Sequence, residues 1–232
     1  LYREAHVVKK DKAGNQIEQT VDVPIWFNSS SKVIYLRFGY KNGDSRYCSM
    51  QCVGDSNVHA FIGGATGQGK SVALNNLIFN VAEEYAPWEV QLTMCDAKIV
   101  EFKAYAGVTH LPHICSIAAC SDADYQISIL EHLEKEMKMR NTFFGLAGAK
   151  KLEEFRANTG LFLPRNLIIM DEVQTAFKYA GKKSQHLIDI IDSFARLGRS
   201  TGYHLIMASQ EIDSSIPTDT LGNIKMRGAL GC

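Results

Sequence analysis

The spacing of apolar positions divides the chain into two regions. Up to residue 56, short apolar stretches alternate with polar turns. His6-Val7-Val8 and Gln16-Ile17 flank a polar turn at 9–15, and Val33–Phe38 reads as a strand ahead of Asn42-Gly43, a strong hairpin signal, and Arg46-Tyr47-Cys48. From residue 57 onward, apolar runs of strand length alternate with helical periods. Val58–Gly63 reads as a short buried strand, Val72–Ala82 as an apolar-faced helix and Glu89–Cys95 as a strand. The run Ile114–Ala119 suits a loop entering another short strand. Ser121–Asp124 suits a helix start, after which Leu130, Leu133, Met137 and Phe144 recur at helical spacing until Gly145 and Gly148 break the helix. Lys150–Ala157 reads as a short helix, Leu167–Met170 as a continuous apolar strand and Ser184–Leu197 as an amphipathic helix. Tyr203–Ser209 and Ile224–Leu230 are the last strand candidates.

Continuous apolar strands are buried on both faces, as in a parallel sheet. Strands alternating with helices predict an α/β fold of RecA-like type, its mainly parallel central sheet flanked by helices. Two parts are therefore expected: a small β-rich lead-in over 1–56 and a nucleotide-binding domain over 57–232.

Composition narrows the function classes. The 232 residues include 46% apolar side chains, enough for a large core, yet no apolar run approaches the roughly 20 residues of a membrane helix. Lys plus Arg equals Asp plus Glu at 25 each, so any nucleic-acid surface must be a local patch. Six scattered cysteines beside a nucleotide motif suggest reduced thiols and a cytoplasmic setting. The chain opens at Leu1 and stops at Cys232 inside an apolar stretch, which predicts a piece of a longer protein, truncated at its C-terminal side. Any membrane anchor would then lie in segments outside it. Cys48 and Cys52, and separately His110, His113, Cys115 and Cys120, leave zinc open, although structural zinc wants four ligands.

The chemistry centres on Gly64-Ala65-Thr66-Gly67-Gln68-Gly69-Lys70-Ser71, which matches the P-loop pattern at every fixed position. A loop that wraps phosphates must bring backbone N–H groups close, and glycine permits both the approach and positive φ. The following helix aims its positive end at the same phosphates. Lys70 is expected to reach the β- and γ-phosphates of ATP and the Ser71 hydroxyl to ligate Mg²⁺. About a hundred residues on, Leu167–Met170 ends in Asp171-Glu172. A buried strand ending in two acids suits a carboxylate at the metal, Asp171, followed by a base that polarises water, Glu172. The second acid suggests a motor rather than a small-molecule kinase. Gln210, just past the strand Tyr203–Ser209, is expected near the γ-phosphate as a sensor of hydrolysis.

Several spaced blocks resemble the FtsK/SpoIIIE family of ring-forming motor ATPases. They are Gly63–Val72, Asp96-Ala97-Lys98-Ile99-Val100-Glu101-Phe102, Leu111-Pro112-His113, Leu133–Arg140, Ile168–Glu172 and Leu197–Gln210. The resemblance spans roughly residues 57–232. It implies a hexameric ring that pumps double-stranded DNA. Secretion-coupling ATPases of the EccC/EssC type, which act on protein export substrates, are the alternative. The chain departs from the pattern at Ala97, where the family usually has Pro, and at Ser209-Gln210-Glu211-Ile212, where it usually has Thr-Gln-Arg-Pro. The resemblance also implies an arginine acting across a subunit boundary, with Arg140, Arg196 and Arg199 as candidates. It places channel loops near 145–160 and 178–184, where Lys150, Lys151, Lys182 and Lys183 are the DNA-contact candidates.

Overall fold

The computed structural model describes residues 2–10, 14–26, 28–31, 34–41, 44–51, 57–106, 111–210 and 218–231. Strands β1 (Tyr2–Lys10) and β2 (Gln16–Pro24) pair antiparallel, and so do β3 (Tyr35–Lys41) and β4 (Asp44–Gln51). The hairpin tip Asn42-Gly43 lies outside the described residues. Then follow β5 (Ala60–Gly64), α1 (Lys70–Glu84), β6 (Val90–Asp96), β7 (Ile114–Ala119), α2 (Ala123–Leu146) and α3 (Leu152–Thr159). The order continues with β8 (Arg165–Asp171), α4 (Val173–Ala180), α5 (Ser184–Thr201), β9 (Tyr203–Ser209), α6 (Thr218–Asn223) and β10 (Met226–Leu230).

Strands β5 to β10 form one sheet in the order β10-β5-β9-β8-β6-β7, with every pairing parallel. Each residue of β8 and β9 is buried, which explains the unbroken apolar runs Leu167–Met170 and Leu205–Ala208 at their centres. Side chains alternate between the two faces. Leu167 and Ile169 join Leu74, Leu77 and Val81 of α1 in one core, while Ile168 and Met170 join α2, α4 and α5 in the other. The α/β architecture with flanking helices is thus as the sequence implied.

The lead-in shows a first departure: it forms two separate hairpins, and described residues between them, together with Leu36 of β3, pack against α1. Ile34 and Leu36 are fully buried against α1. Trp26 Nε1 donates to the Ala82 carbonyl at 2.7 Å, and the Tyr85 hydroxyl accepts from the backbone of Tyr35 at 2.9 Å. Ser30 donates to buried Glu89, which also holds Arg156 at 2.8 Å. Packing among the described residues thus crosses residue 57: short strand signals could be read locally, but not which of them α1 would bury.

Helix α4 is a second departure, since the amphipathic pattern marked only α5 in this region. The zinc alternatives gain no support. His113 Nε2 pairs with the Tyr85 carbonyl at 2.6 Å, and the Cys115 thiol bonds the Leu92 carbonyl at 3.2 Å. No cluster of three metal-ligating side chains occurs among the described residues. Cys52 and His110 lie outside them.

Candidate active site

In a parallel sheet the carboxyl ends of all strands fall on one edge, and loops leaving that edge share a crevice. The P-loop leaves β5 there. Residues 65–69 are exposed, while Lys70, the first residue of α1, is buried. Gly67 and Gly69 have φ of 81° and 87°, left-handed values that strain any residue with a side chain, although the space beside both is open. Gly69 caps α1 without a side-chain hydrogen bond, so the helix's first N–H groups and its positive end face the cleft. Gln68 lies down over Gly231, where a Cβ would stand 2.0 Å from Gln68 Oε1. The cleft measures about 390 Å³ and runs from the P-loop to Val100, Glu101 and Gln210.

Strand β9 lies between the P-loop strand and β8, so the two motifs meet only through side chains. Lys70 Nζ reaches Asp171 Oδ1 at 2.5 Å and also donates to Glu172 Oε1. These are the two acids that the sequence set a hundred residues away. Burial opposes the charge on Lys70, but the two carboxylates outweigh it and hold the ammonium above its ordinary pKa. Burial raises Asp171 to about 6, against the pull of Lys70, with Glu172 and Asp96 adding repulsion. Asp96 is its register partner on β6. Burial also opposes ionisation of Glu172. Hydrogen bonds from Lys70 and Lys98, the charge of Lys70 and a bond from Gln174 prevail, holding its carboxyl below the usual range. Glu172 is therefore kept as the anion a base must be. Its backbone is left-handed, φ 52° and ψ 48°, a conformation that costs a side-chained residue roughly 1–2 kcal/mol and that starts α4 abruptly after β8.

Sequence reasoning gave no role to several residues at this edge. Lys98 Nζ lies 2.9 Å from Glu172 Oε2. Gln174 donates to the same oxygen and accepts from Ser209 Oγ at 2.7 Å. Ser71 Oγ donates to Glu101 Oε1. Fully buried Asp96 accepts four backbone N–H groups, those of Lys98, Ile99, Glu101 and Phe102, at 2.8 to 3.1 Å. The available signal was the Asp96–Phe102 block, visible as a family pattern but without an assigned task. Gln210 sits at the end of β9, and its Oε1 accepts from Thr66 Oγ1 of the P-loop at 3.3 Å.

The chemistry of this donor set fits a nucleotide with Mg²⁺: open backbone N–H groups, an ammonium, a hydroxyl and two carboxylates. Lys70 and the loop amides would hold the phosphates, with Ser71 and Asp171 at the cation. The cation, when bound, neutralises phosphate charge and orients the phosphate oxygens. Lys70 would then exchange carboxylate partners for phosphate oxygens, and Ser71 would release Glu101.

The model of the FtsK/SpoIIIE family matches residues 21–162, more than half of the chain. The chain belongs to the FtsK/SpoIIIE family. Among curated proteins it is 30% identical over 164 residues to the DNA translocase FtsK of Helicobacter pylori strain J99, covering 69% of this chain and 19% of that protein. It is 29% identical over 234 residues to the DNA translocase FtsK of Oceanobacillus iheyensis, covering 95% and 28%. The chain thus spans less than a third of these relatives. Among solved structures, the cytoplasmic domain of EssC superposes with a TM-score of 0.70 at 20% identity, over 84% of this chain and 37% of that one. The conjugation coupling protein TcpA of pCW3, in a monomer form with ATPγS, gives 0.66 at 18% identity, over 96% and 64%. At these identities the two structures speak to the fold, that of P-loop ATPases.

The family match starts within β2, in keeping with the packing of Trp26, Ile34 and Leu36 on α1, and ends before Asp171 and Glu172. Those two acids are placed in the site by Lys70 instead. The remaining candidates are scattered. Arg140 is buried and used within its own chain: it bonds Glu136 and the carbonyls of Pro164 and Thr201, with its guanidinium 4.7 Å from the Tyr203 ring centroid. It is not available to a neighbour. Arg196 and Arg199 are exposed on α5. Lys150, Lys151, Lys182 and Lys183 are all exposed. Lys183 pairs with Asp124 at the start of α2, whereas Lys150 lies just beyond its end. Among the described residues, no helix is long and apolar enough to cross a membrane.

Proposed function

We propose that this chain is the motor domain of a ring-forming translocase, a homo-hexamer in the full-length protein, that hydrolyses Mg-ATP to move along double-stranded DNA. The observation that carries the hydrolytic half is Lys70, which lines the P-loop cleft, meeting buried Asp171 and Glu172 across 101 and 102 residues of sequence. The DNA half is supported by relatives named DNA translocase at about 30% identity. Glu172 is the base, Asp171 and Ser71 hold the metal, and Gln210 links the phosphate site to the segment beyond β9. Either Arg196 or Arg199 serves the neighbouring site.

The four lysines supply the track contacts. The two clusters stand at opposite ends of α2, whose 24 residues span about 36 Å. They cannot grip one phosphate together. A duplex running past both would be held about one helical turn apart, since B-DNA repeats every 34–36 Å or so. Contacts of this kind read no bases, as a pump for any sequence requires.

The test is the ATPase rate of the full-length, assembled protein with and without duplex DNA, alongside a variant with Lys150, Lys151, Lys182 and Lys183 all changed to Glu. DNA should stimulate the parent. The variant should keep its basal rate, lose the stimulation and bind DNA with a shallower salt dependence, by about 0.9 in log–log slope for each phosphate no longer neutralised. Unchanged DNA binding in the variant removes these loops from the track. A parent that neither binds nor responds to DNA at low salt overturns the DNA reading and points to a protein export substrate.

A further inference from the structure

The turn 96–102 touches both halves of the site, yet the hydrolytic scheme above leaves it without a task. We infer that Lys98 is a positioning residue for Glu172, the second cation that keeps this carboxylate aimed while Lys70 serves the phosphates.

The turn is built to hold Lys98 in place. Both oxygens of buried Asp96 are used, Oδ1 on the N–H groups of Lys98 and Ile99 and Oδ2 on those of Glu101 and Phe102. Ile99 adopts a left-handed φ of 60°, an unusual value for a β-branched residue and one that the Asp96 bonds enforce. From this fixed base the Lys98 side chain, 38% exposed, reaches Glu172 Oε2 at 2.9 Å. Glu172 is buried and has a bond to each oxygen: Lys70 on Oε1, with Lys98 and Gln174 on Oε2.

The need for a second cation follows from what Lys70 must do. Asp171 and Glu172 are adjacent buried carboxylates, and Lys70 is shared between them. A buried anion left without a partner turns away or takes up a proton. Once Lys70 is drawn to phosphate, Lys98 and Gln174 are the remaining hold on Glu172 in this arrangement. Lys98 comes from the end of β6 and Gln174 is tied to Ser209 at the end of β9, so the carboxylate is gripped from the strand on either side of β8. A side chain in this role affects how fast the bound nucleotide is cleaved more than how tightly it binds.

This inference rests on Glu172 being the base, and the experiment separates the two claims. In the full-length protein, Lys98→Gln, Lys98→Arg and Glu172→Gln are compared with the parent for kcat, KM and binding of a fluorescent ATP analogue with Mg²⁺. Expected is a loss of kcat of tenfold or more in Lys98→Gln, with nucleotide affinity within about threefold of the parent, and recovery of most of kcat in Lys98→Arg. The Tm shift caused by Lys98→Gln should shrink in the Glu172→Gln background, because the partner charge is gone. Turnover of Lys98→Gln at the parent rate beside an inactive Glu172→Gln overturns the role of Lys98 alone. A loss confined to KM, or no recovery with Arg, also overturns it. Turnover retained by Glu172→Gln overturns the base and this inference together. Should Lys98→Gln fail to fold, Lys98→Met, which keeps the stem and removes only the ammonium, is read by the same criteria.

Discussion

The change Asp96→Asn alters one atom in the site's most heavily bonded carboxylate. The aspartate spends two hydrogen bonds on each oxygen, all to backbone N–H groups, at 3.0 and 2.9 Å on Oδ1 and at 2.8 and 3.1 Å on Oδ2. Asparagine keeps one oxygen and so one of these pairs. Its amide nitrogen is a donor facing two donors, and that pair is broken. A hydrogen bond to a charged group contributes about 1.5–3 kcal/mol, so breaking two removes roughly 3–6 kcal/mol. Relief of the repulsion between Asp96 and Asp171 offsets part of this, leaving an expected loss of about 2–5 kcal/mol. The loss falls first on the turn, because the strand ends on either side are held by the sheet. Urea denaturation of the ATPase domain should therefore show lower stability. Amide hydrogen exchange should show faster opening at Lys98, Ile99, Glu101 and Phe102 than elsewhere on β6. Turnover should fall because Lys98 and Glu101 lose their base. A variant within about 1 kcal/mol of the parent, with those four amides still protected, would refute the reasoning.

Glu172→Gln should keep Mg-ATP binding and lose nearly all turnover, because the phosphate cradle survives while the water loses its base; parallel binding and single-turnover assays check this. Gln210→Ala should lower turnover more than affinity, and unchanged turnover in an assembled, substrate-stimulated ring would discard its sensing role. Acid should destabilise the domain through its buried histidines. Burial lowers His59 to about 4, and likewise lowers His113 and His204. Each binds protons more readily when unfolded, so the stability is intact above pH 6.5 and is lost as pH falls toward the folded value. His59 alone contributes about 3 kcal/mol over that window, while Asp171, raised to about 6, acts in the opposite sense. Thermal melts between pH 7 and pH 4.5 should show the fall, and His59→Gln should flatten it.

The P-loop was legible because its function acts through local backbone: Gly67 and Gly69 must adopt left-handed φ, and that demand is written at fixed spacing. The strands β8 and β9 were legible for a similar reason, since a strand buried on both faces carries a continuous apolar run at its centre, here Leu167–Met170 and Leu205–Ala208. The order of strands was not. Nothing in the spacing of residues says that β9 inserts between β5 and β8, or that Lys70 must therefore reach past it to Asp171 and Glu172. Lys98, Glu101 and Gln174 were hidden for the same reason. A charged or amide side chain reads as solvated until its partner is known: the partner of Lys98 lies 74 residues away and that of Glu101 30, while Gln174, two residues from Glu172, is tied to Ser209 35 residues on. Likewise Ile34 and Leu36 belonged by sequence to a β-rich lead-in, and only their burial against α1 made them part of the ATPase core. The chain alone determined which groups form the P-loop, because that motif is made of consecutive residues. The tertiary structure decided how Glu172 is held, because that grip is assembled from the ends of three neighbouring strands.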